Sequence, residues 1–221
     1  MNTAERYVTI FTGLVKRYGP SGIKKVLWDK EFSGGHWDFI DETSGDCVYP
    51  YLERHAKSGS ILDLGCGPGN TANELAESVY GTYLGVDISE AALAKATRRT
   101  IENGRAGKNR FLQGDFINYV PSEQFDIILF RESTYHVPLN KLKSMLDRYS
   151  NYLRDGGVFV VRMVTWSYSA NKVRNRLKSM VDIIEAEFDV VEKGEHGNPA
   201  ATVIAFRPRR AVKTAPQKVT D

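Results

Sequence analysis

The clearest chemical signature in the chain is a glycine-rich run at residues 61–70, which read ILDLGCGPGN. It stands where an apolar, strand-like stretch gives way to a helical pattern. Glycines in such a place permit positive φ angles and a close approach of the backbone to a ligand, while the following helix offers unpaired N–H groups. Asp87 ends the next apolar stretch, 22 residues after Gly65, where a carboxylate can accept hydrogen bonds from both hydroxyls of a ribose. The pattern predicts a site for a nucleotide-like ligand.

The residues around the glycines distinguish between ligands of this kind. Gly69 comes one residue earlier than the dinucleotide fingerprint requires, and no Gly-Lys-Ser/Thr follows as in a Walker loop. Asp63 precedes the first glycine, where its charge favours a cation and repels a pyrophosphate. Asp115 follows a third strand-like stretch, where it can accept a hydrogen bond from an adenine amino group while Phe116 lies against the ring. These residues favour a ligand with an adenine and a cationic group.

Strand-like and helical stretches alternate from residue 58 onward. The patterns predict strands at 60–65, 82–86, 110–113, 125–130 and 158–161, helices at 71–79, 90–102, 139–153 and 171–187, a break at 155–157, and a terminal hairpin of 189–191 with 202–206. Residues 1–57 are predicted to be mostly helical, ending in a helix at 46–57. The chain is therefore expected to form a doubly wound α/β fold with a seven-stranded, mostly parallel sheet, a C-terminal antiparallel hairpin and an N-terminal helical cap.

Composition and charge exclude several classes of protein. The 221 residues are 42% hydrophobic and 26% charged, and no window approaches ~18 consecutive apolar residues, so no transmembrane helix is expected. The N-terminus lacks the pattern of a secretory signal, and two cysteines, Cys47 and Cys66, fit a reducing cytosol, so a cytoplasmic location is expected. The net charge is +3, but residues 207–221 alone carry +4, which leaves the rest at −1. A membrane or nucleic-acid partner is therefore not expected.

In combination, the glycine loop, the acid that ends the second strand and the Gly-Asp-Phe after the third strand resemble the class I S-adenosylmethionine-dependent methyltransferases. The resemblance covers residues 46–207 and implies the strand order 3-2-1-4-5-7-6. We accordingly expect a cap or substrate lid at 1–45, a methyltransferase domain at 46–207, and a basic, partly disordered tail at 208–221.

The resemblance also implies S-adenosylmethionine as the cofactor, S-adenosylhomocysteine as the product, and a set of residues that bind them. The glycines would form the loop under the methionine part, Asp87 would hold the ribose, and Asp63 would organise the loop or the ammonium group. Cys66 fits a small loop residue better than a nucleophile. The expected cofactor-binding residues are Asp63, Gly65, Cys66, Gly67, Asn70, Asp87, Ile88, Asp115, Phe116 and Arg131.

Methyl transfer from a sulfonium is an in-line displacement, so the protein mainly positions two reactants, an effect that contributes ~7–11 kcal/mol. A base is needed only when the acceptor must lose a proton. Residues 130–138, after the fourth strand, offer Glu132, Tyr135 and His136 as bases or acceptor-binding groups, and no metal is expected. The family's Asn/Asp-Pro-Pro-Tyr motif is missing, which disfavours exocyclic amino groups of DNA bases and glutamine side chains as acceptors.

Aromatic residues and basic residues suggest where the acceptor binds. Residues 28–39 place large aromatic side chains around a Gly-Gly pair, as in a lid over an organic ligand. A surface arm that buries its aromatic residues on the sheet would show the same sequence pattern. From this segment and the region after the fifth strand, the expected substrate-binding residues are His36, Trp37, Trp166 and Tyr168. A basic stretch at 172–178 is either a solvated face or a contact for an acidic substrate.

The sequence thus predicts methyl transfer to an oxygen or nitrogen of a small organic molecule. Two alternatives stay open. One is an RNA- or protein-modifying methyltransferase, indicated only by the basic tail and the 172–178 stretch. The other is a non-catalytic subunit that binds the cofactor to support a partner. The expected partner is a small-molecule acceptor, and a homodimer is left open.

Overall fold

A computed structural model describes residues 3–38, 45–164, 170–197 and 200–209, with the backbone alone for 3–10 and 170–174. Its centre is one seven-stranded sheet in the order β3-β2-β1-β4-β5-β7-β6. The strands are β1 (Ser60–Leu64), β2 (Thr82–Asp87), β3 (Asn109–Gln113), β4 (Phe125–Arg131), β5 (Leu153–Val164), β6 (Phe188–His196) and β7 (Ala201–Pro208). β1 to β5 pair in parallel, and β7 runs antiparallel to β5 and β6. The predicted strand order and terminal hairpin are confirmed.

Helices cover the sheet and precede it. They are α1 (Thr3–Tyr18), α2 (Ser21–Ser33), α3 (Tyr49–Ala56), α4 (Asn70–Glu74), α5 (Glu90–Glu102), α6 (Leu139–Ser150) and α7 (Ala170–Glu187), with 3-10 turns at Glu77–Val79 and Thr134–His136. α1 and α2 supply the predicted helical cap, whose boundary at residue 45 stays a prediction. The tail from residue 210 onward lies outside the described residues. No helix in the described ranges is both long and apolar enough to span a membrane.

Several predicted boundaries were wrong, among them the end of the helix predicted at 139–153, which stops at Ser150, so that Leu153 already belongs to β5. The helix predicted at 71–79 ends at Glu74, because Leu75 leaves the helical region with φ −60° and ψ 139°, and a 3-10 turn follows. The break predicted at 155–157 lies inside β5. There Leu153 pairs with Phe125, and a register shift accommodates the glycines before regular pairing resumes between Val158 and Ile127.

The sheet is buried on both faces, as the continuous apolar stretches predict. Along β4, Ile128 and Phe130 face α6 and α7, while Ile127 and Leu129 pack on the opposite side with α3. All four side chains are fully buried. This packing fixes the carboxyl ends of β1, β2, β3 and β4 along one edge, where the loops that follow them meet.

Asp46 ties the segment before α3 to this edge. Its Oδ2 accepts a hydrogen bond from Arg131 Nη2 at 2.7 Å, its Oδ1 lies 3.2 Å from Arg162 Nε, and the Val48 N–H also donates to Oδ1 at 2.9 Å. The Asp46 side chain is only 4% exposed. Burial by itself raises the pKa of the carboxyl, but the two guanidinium groups more than offset this, and the net pKa lies below its ordinary value.

We predict that Asp46→Asn lowers the free energy of unfolding by about 3 kcal/mol at pH 7, because two buried guanidinium groups lose their shared counter-charge. Urea denaturation measures the change. Asp182→Asn, which removes an exposed i,i+4 pair with Lys178 on α7, is the control and should change it by less than about 1 kcal/mol.

The pH dependence gives a second check on Asp46. A lowered pKa in the folded state contributes stability above the unfolded pKa and loses it as pH falls through the folded value. The difference between the native protein and Asp46→Asn should therefore shrink below about pH 4. Equal stability at pH 7 would contradict this role.

Candidate active site

A cleft lies between the carboxyl ends of the strands and the cap. It encloses about 550 Å³, its open mouth included. The sheet side contributes Gly65, Asp87, Ile88, Asp115, Phe116, Ile117, Glu132, Ser133 and His136, and the cap contributes Lys16, Lys24, Trp28 and Phe32. The cleft thus brings together residues from four strand ends and both cap helices.

The glycine loop borders this cleft at a place where no side chain fits. Gly65 has φ +82°, and a Cβ built on it would lie 2.5 Å from the Ser133 Cβ. Gly69, with φ +74°, is the N-cap residue before α4, and its Cβ would lie 2.8 Å from the Ala96 Cβ. The N–H groups of Gly65 and Cys66 donate to the Val86 carbonyl, which bends the loop toward β2. The backbone therefore forms one wall of the cleft.

Asp87 lies at the end of β2, as predicted, and faces the cleft. Its Oδ2 accepts the Gly67 N–H and its Oδ1 accepts the Ser89 N–H, both at 2.9 Å. Burial raises the pKa of this carboxyl, while these backbone hydrogen bonds act in the opposite direction. Each carboxylate oxygen retains acceptor capacity, so Asp87 fits a ribose with its two hydroxyls.

Asp63 lies buried behind the loop. The Tyr83 hydroxyl donates to its Oδ2, and burial raises the pKa of the carboxyl to about 6. Thr71 lies beside the carboxyl, yet Oδ1 meets no donor in hydrogen-bonding geometry among the described residues. A buried acid of this kind stabilises positive charge in the loop, which fits the ammonium or sulfonium of the cofactor.

Asp115 borders the cleft but is also tied to the cap. Its Oδ2 accepts hydrogen bonds from Lys24 Nζ at 3.0 Å and from Ser21 Oγ at 2.8 Å, and its Oδ1 accepts the Ile117 N–H at 3.1 Å. An adenine amino group would share this carboxylate with the cap. Phe116 lies in the cleft wall and packs edge-on against Phe130, with ring centroids 6.0 Å apart.

Three of the expected cofactor residues shape the loop from behind. Burial raises the pKa of the Cys66 thiol far above its ordinary value, so it is not a nucleophile. Asn70 opens α4 and accepts a hydrogen bond from Arg99 at 2.7 Å. Arg131 turns to Asp46 and Thr71, and does not belong to the cleft lining.

Glu132 occupies an unusual backbone conformation directly after β4. Its φ of +57° is strained for a residue with a side chain, and such strain clusters at functional sites. Glu132 lines the cleft, and its carboxylate lies 2.6 Å from Arg162 Nη1 and 2.7 Å from the Tyr135 hydroxyl, which donates to it. Burial raises the pKa of Glu132, although Arg162 and Tyr135 act in the opposite direction.

Tyr135 and His136 differ from Glu132 in what they can do with a proton. Burial and the adjacent Glu132 raise the pKa of the Tyr135 phenol far above its ordinary value, so the phenol stays protonated and acts as a donor. Burial, followed by the charges of Lys16, Arg17, Lys24 and Arg176, lowers the pKa of His136 to about 3. His136 is therefore neutral at pH 7.

The cap side of the cleft is an aromatic cluster around Trp28. Its ring lies edge-on to His136, with centroids 4.9 Å apart, and carries the Lys16 ammonium 3.7 Å above it. Lys16 also pairs with Glu31 at 2.5 Å, and Glu31 accepts the Trp37 indole N–H at 2.9 Å. His36 packs on Trp37, with centroids 5.0 Å apart.

The predicted substrate-binding pair His36 and Trp37 thus lies behind Trp28, which forms the cleft wall itself. Trp166 and Tyr168 lie outside the described residues. Sequence reasoning missed Lys16 and Lys24 as cleft residues, because lysines in a helical pattern ordinarily indicate a solvated face. Their burial, with 8% and 6% exposure, has no signal in the local sequence.

We predict that Gly65→Ala weakens binding of S-adenosylhomocysteine more than about tenfold, because the methyl group meets Ser133 and the positive φ becomes strained. Calorimetric titration measures the affinity. Gly104→Ala is the matched control, since Gly104 has φ +70° but open space around its Cβ position. Equal affinities of the two variants would contradict the assignment of this wall.

The comparisons with known proteins agree with this geometry. Residues 61–157 match the family model described as a methyltransferase domain. The sterol 24-C-methyltransferase erg-4 of Neurospora crassa is 28% identical over 156 residues, which are 65% of this chain and 41% of that protein. ERG6A of Gibberella zeae, also named a sterol 24-C-methyltransferase, is 28% identical over 156 residues, covering 65% and 40%. The chain spans about two fifths of the length of these curated relatives.

Solved structures share the fold. The N-methyltransferase NodS from Bradyrhizobium japonicum WM9, in complex with S-adenosyl-L-homocysteine, superposes with a TM-score of 0.65 at 18% identity and covers 84% of this chain and 98% of its own. A SAM-dependent methyltransferase from Geobacter sulfurreducens, with the same ligand, gives 0.61 at 17% identity and covers 82% and 98%. Residues 61–157 thus match a methyltransferase domain, and the strand order and fold of the chain are those of solved S-adenosylmethionine-dependent methyltransferases.

Proposed function

We propose that this protein transfers a methyl group from S-adenosylmethionine to an oxygen or nitrogen of a small organic molecule. One observation carries the proposal: the glycine loop at Gly65 and the residue Glu132 line the same cleft, under an aromatic cap. A reacting acceptor would thus lie between the methyl donor and a basic group, which is the arrangement that such a transfer requires.

The residues of the cleft fit the cofactor part by part. The loop at Gly65 and Gly67 would receive the methionine part, with Asp63 behind it to favour positive charge, and Asp87 would hold the ribose hydroxyls. Asp115 and Phe116 would frame the adenine. When bound there, S-adenosylmethionine supplies an electrophilic methyl group with a neutral leaving group.

Among the three predicted catalytic residues, Glu132 is the base that the environment favours. Tyr135 holds its proton too tightly to act as a base, and His136 binds a proton too weakly at neutral pH. Glu132 is ionisable and fixed by Arg162 and Tyr135, with further lone pairs on both oxygens. It would accept the proton that a hydroxyl or amino acceptor releases.

The cap would exclude water and orient the acceptor. Trp28 and Phe32 supply apolar walls, and Asp29 fixes α2 to the start of α5 by accepting hydrogen bonds from Ser89 Oγ at 2.8 Å and Ala91 N at 3.2 Å. An acceptor with an apolar ring or chain fits this wall, in keeping with the predicted small organic substrate.

A carbon acceptor is the second candidate, because the curated relatives are named sterol 24-C-methyltransferases. Methylation of a double bond creates a cationic carbon. Glu132, which lines the cleft, would attract such a charge, whereas the Lys16 ammonium on the Trp28 ring would oppose it. Glu132 would then remove the proton from carbon. An acceptor screen that includes alcohols, amines and alkenes distinguishes the two candidates.

The experiment that tests the proposal measures release of S-adenosylhomocysteine with such a screen, comparing the native protein with Glu132→Gln. We expect kcat to fall by roughly 10²- to 10⁴-fold in the variant, the usual contribution of a general base. Its affinity for S-adenosylhomocysteine should stay within about threefold, because Gln preserves the size of the side chain. Unchanged turnover would exclude Glu132 as the base.

The pH profile provides an independent check. Activity of the native protein should fall on the acid side as Glu132 is protonated, at a pH above the ordinary pKa of glutamate. Tyr135→Phe should move this limb to higher pH, because the phenol donates a hydrogen bond that favours the charged carboxylate. A limb that moves to lower pH, or that persists in Glu132→Gln, would contradict the assignment.

A further inference from the structure

Two arginines beside the cleft, Arg17 and Arg176, differ from the lysines of the cap in their hydrogen-bond partners. Lys16, Lys24 and Lys25 each pair with a carboxylate, at distances of 2.5, 3.0 and 2.7 Å. Arg17 of α1 and Arg176 of α7 form no ion pair within the described part of the chain. Each donates to a backbone carbonyl instead, Arg17 Nε to Tyr135 at 3.2 Å and Arg176 Nη2 to Val137.

These two anchor carbonyls lie on either side of His136, which places both guanidinium groups at one short segment. Arg176 Nε is buried without a hydrogen-bond partner among the described residues. Burial lowers the pKa of Arg176, and the charge of Arg17 lowers it further, so the two cations repel each other across this segment. Two half-buried cations near each other without a counter-charge are costly, and an anion between them would remove the cost.

A second cleft opens beside Arg17 and Pro138, the residue that follows Val137, and Arg176 lies next to this cleft rather than in its lining. It encloses about 490 Å³, open solvent included, between the α1–α2 turn and the start of α6. Arg17, Lys24 and Lys141 belong to its lining, and Lys24 pairs with Asp115, which leaves Arg17 and Lys141 as the lining cations without an ion pair among the described residues. It shares Lys24 and Ile117 with the cleft between the strand ends and the cap, so a ligand held here can extend toward His136 and Glu132.

We propose that Arg17 and Arg176 form an oxyanion subsite that binds a carboxylate or phosphate group of the methyl acceptor. The planar fork of a guanidinium matches the oxygens of either group, and both forks keep donors that the carbonyls do not use. The inference rests on the proposed function and narrows its substrate class to small organic anions. A plain structural role, in which the arginines only fix the segment around His136, is the competing account.

Inorganic phosphate is the first probe. Titration at constant ionic strength, followed by calorimetry and thermal unfolding, should show saturable binding that Arg17→Gln and Arg176→Gln each weaken at least about tenfold. Lys178→Gln is the matched control, because it removes a charge two residues away on the exposed face of α7, where Lys178 pairs with Asp182. No saturable binding, or equal weakening in the control, would overturn the subsite.

Turnover measurements then distinguish two occupants of the subsite, an anionic group of the methyl acceptor and a free anion. Acceptors are offered as matched pairs, a carboxylate with its amide and a phosphomonoester with its alcohol. We expect at least about tenfold higher kcat/KM for the anions, lost in Arg17→Gln while affinity for S-adenosylhomocysteine is unchanged. Phosphate should compete with the acceptor; inhibition that is not competitive would assign the site to a free ion and overturn the proposal.

The outcomes also distinguish this inference from the function on which it rests. Turnover of neutral and anionic acceptors alike would overturn the oxyanion subsite and leave methyl transfer intact. Specific phosphate binding without turnover of any acceptor would instead contradict the methyl-transfer proposal. Arg17→Lys keeps the positive charge but removes the planar guanidinium group. We expect it to weaken phosphate binding, and an unchanged phosphate affinity would contradict recognition of the anion by the guanidinium of Arg17.

Discussion

The close approach of two backbone turns, after β1 and after β4, is the constraint on which the site depends. Gly65 comes so near Ser133 that a single methyl group would not fit between them. This contact defines the wall of the cleft, and it places the glycine loop beside Glu132, whose backbone is held at φ +57°. Parallel pairing of β1 with β4 makes the approach possible, because both strands end at the same edge of the sheet.

Charge divides the cleft between its two sides. The strand ends contribute three acids: Asp115 and Glu132 pair with Lys24 and Arg162, and Asp87, which backbone N–H groups hold, is the acid that best suits a cofactor with a positive sulfonium. The cap contributes Lys16 and Lys24, which are neutralised by Glu31 and Asp115. The sheet side is therefore prepared for a cation before any ligand binds, and the lysines of the cap add no free positive charge beside it. This division explains how a cap rich in lysines can cover a site for a cationic cofactor.

Much of the sheet, and the wall of the cleft that the glycine loop forms, could be predicted from the sequence. Apolar stretches, the glycines and Asp87 occur there in an order and at spacings that local geometry sets. α5 lies at the predicted residues, and the strand order agrees. The end of α4 at Glu74, the glycines within β5 and the inward turn of Lys16 could not be predicted, because each depends on partners far away in the chain. The sequence predicted Asp115 as a cleft residue. Its ion pair with Lys24 could not be predicted, because the pair depends on where the cap packs.

The most direct test of this account is equilibrium dialysis of the unmodified protein with radiolabelled S-adenosylmethionine. We expect saturable binding of one molecule per chain, displaced by S-adenosylhomocysteine and not by nucleotides with a pyrophosphate, since Asp63 and the glycine spacing disfavour them. Absence of saturable binding, or displacement by a dinucleotide at similar concentration, would contradict the central claim that this cleft holds a sulfonium cofactor.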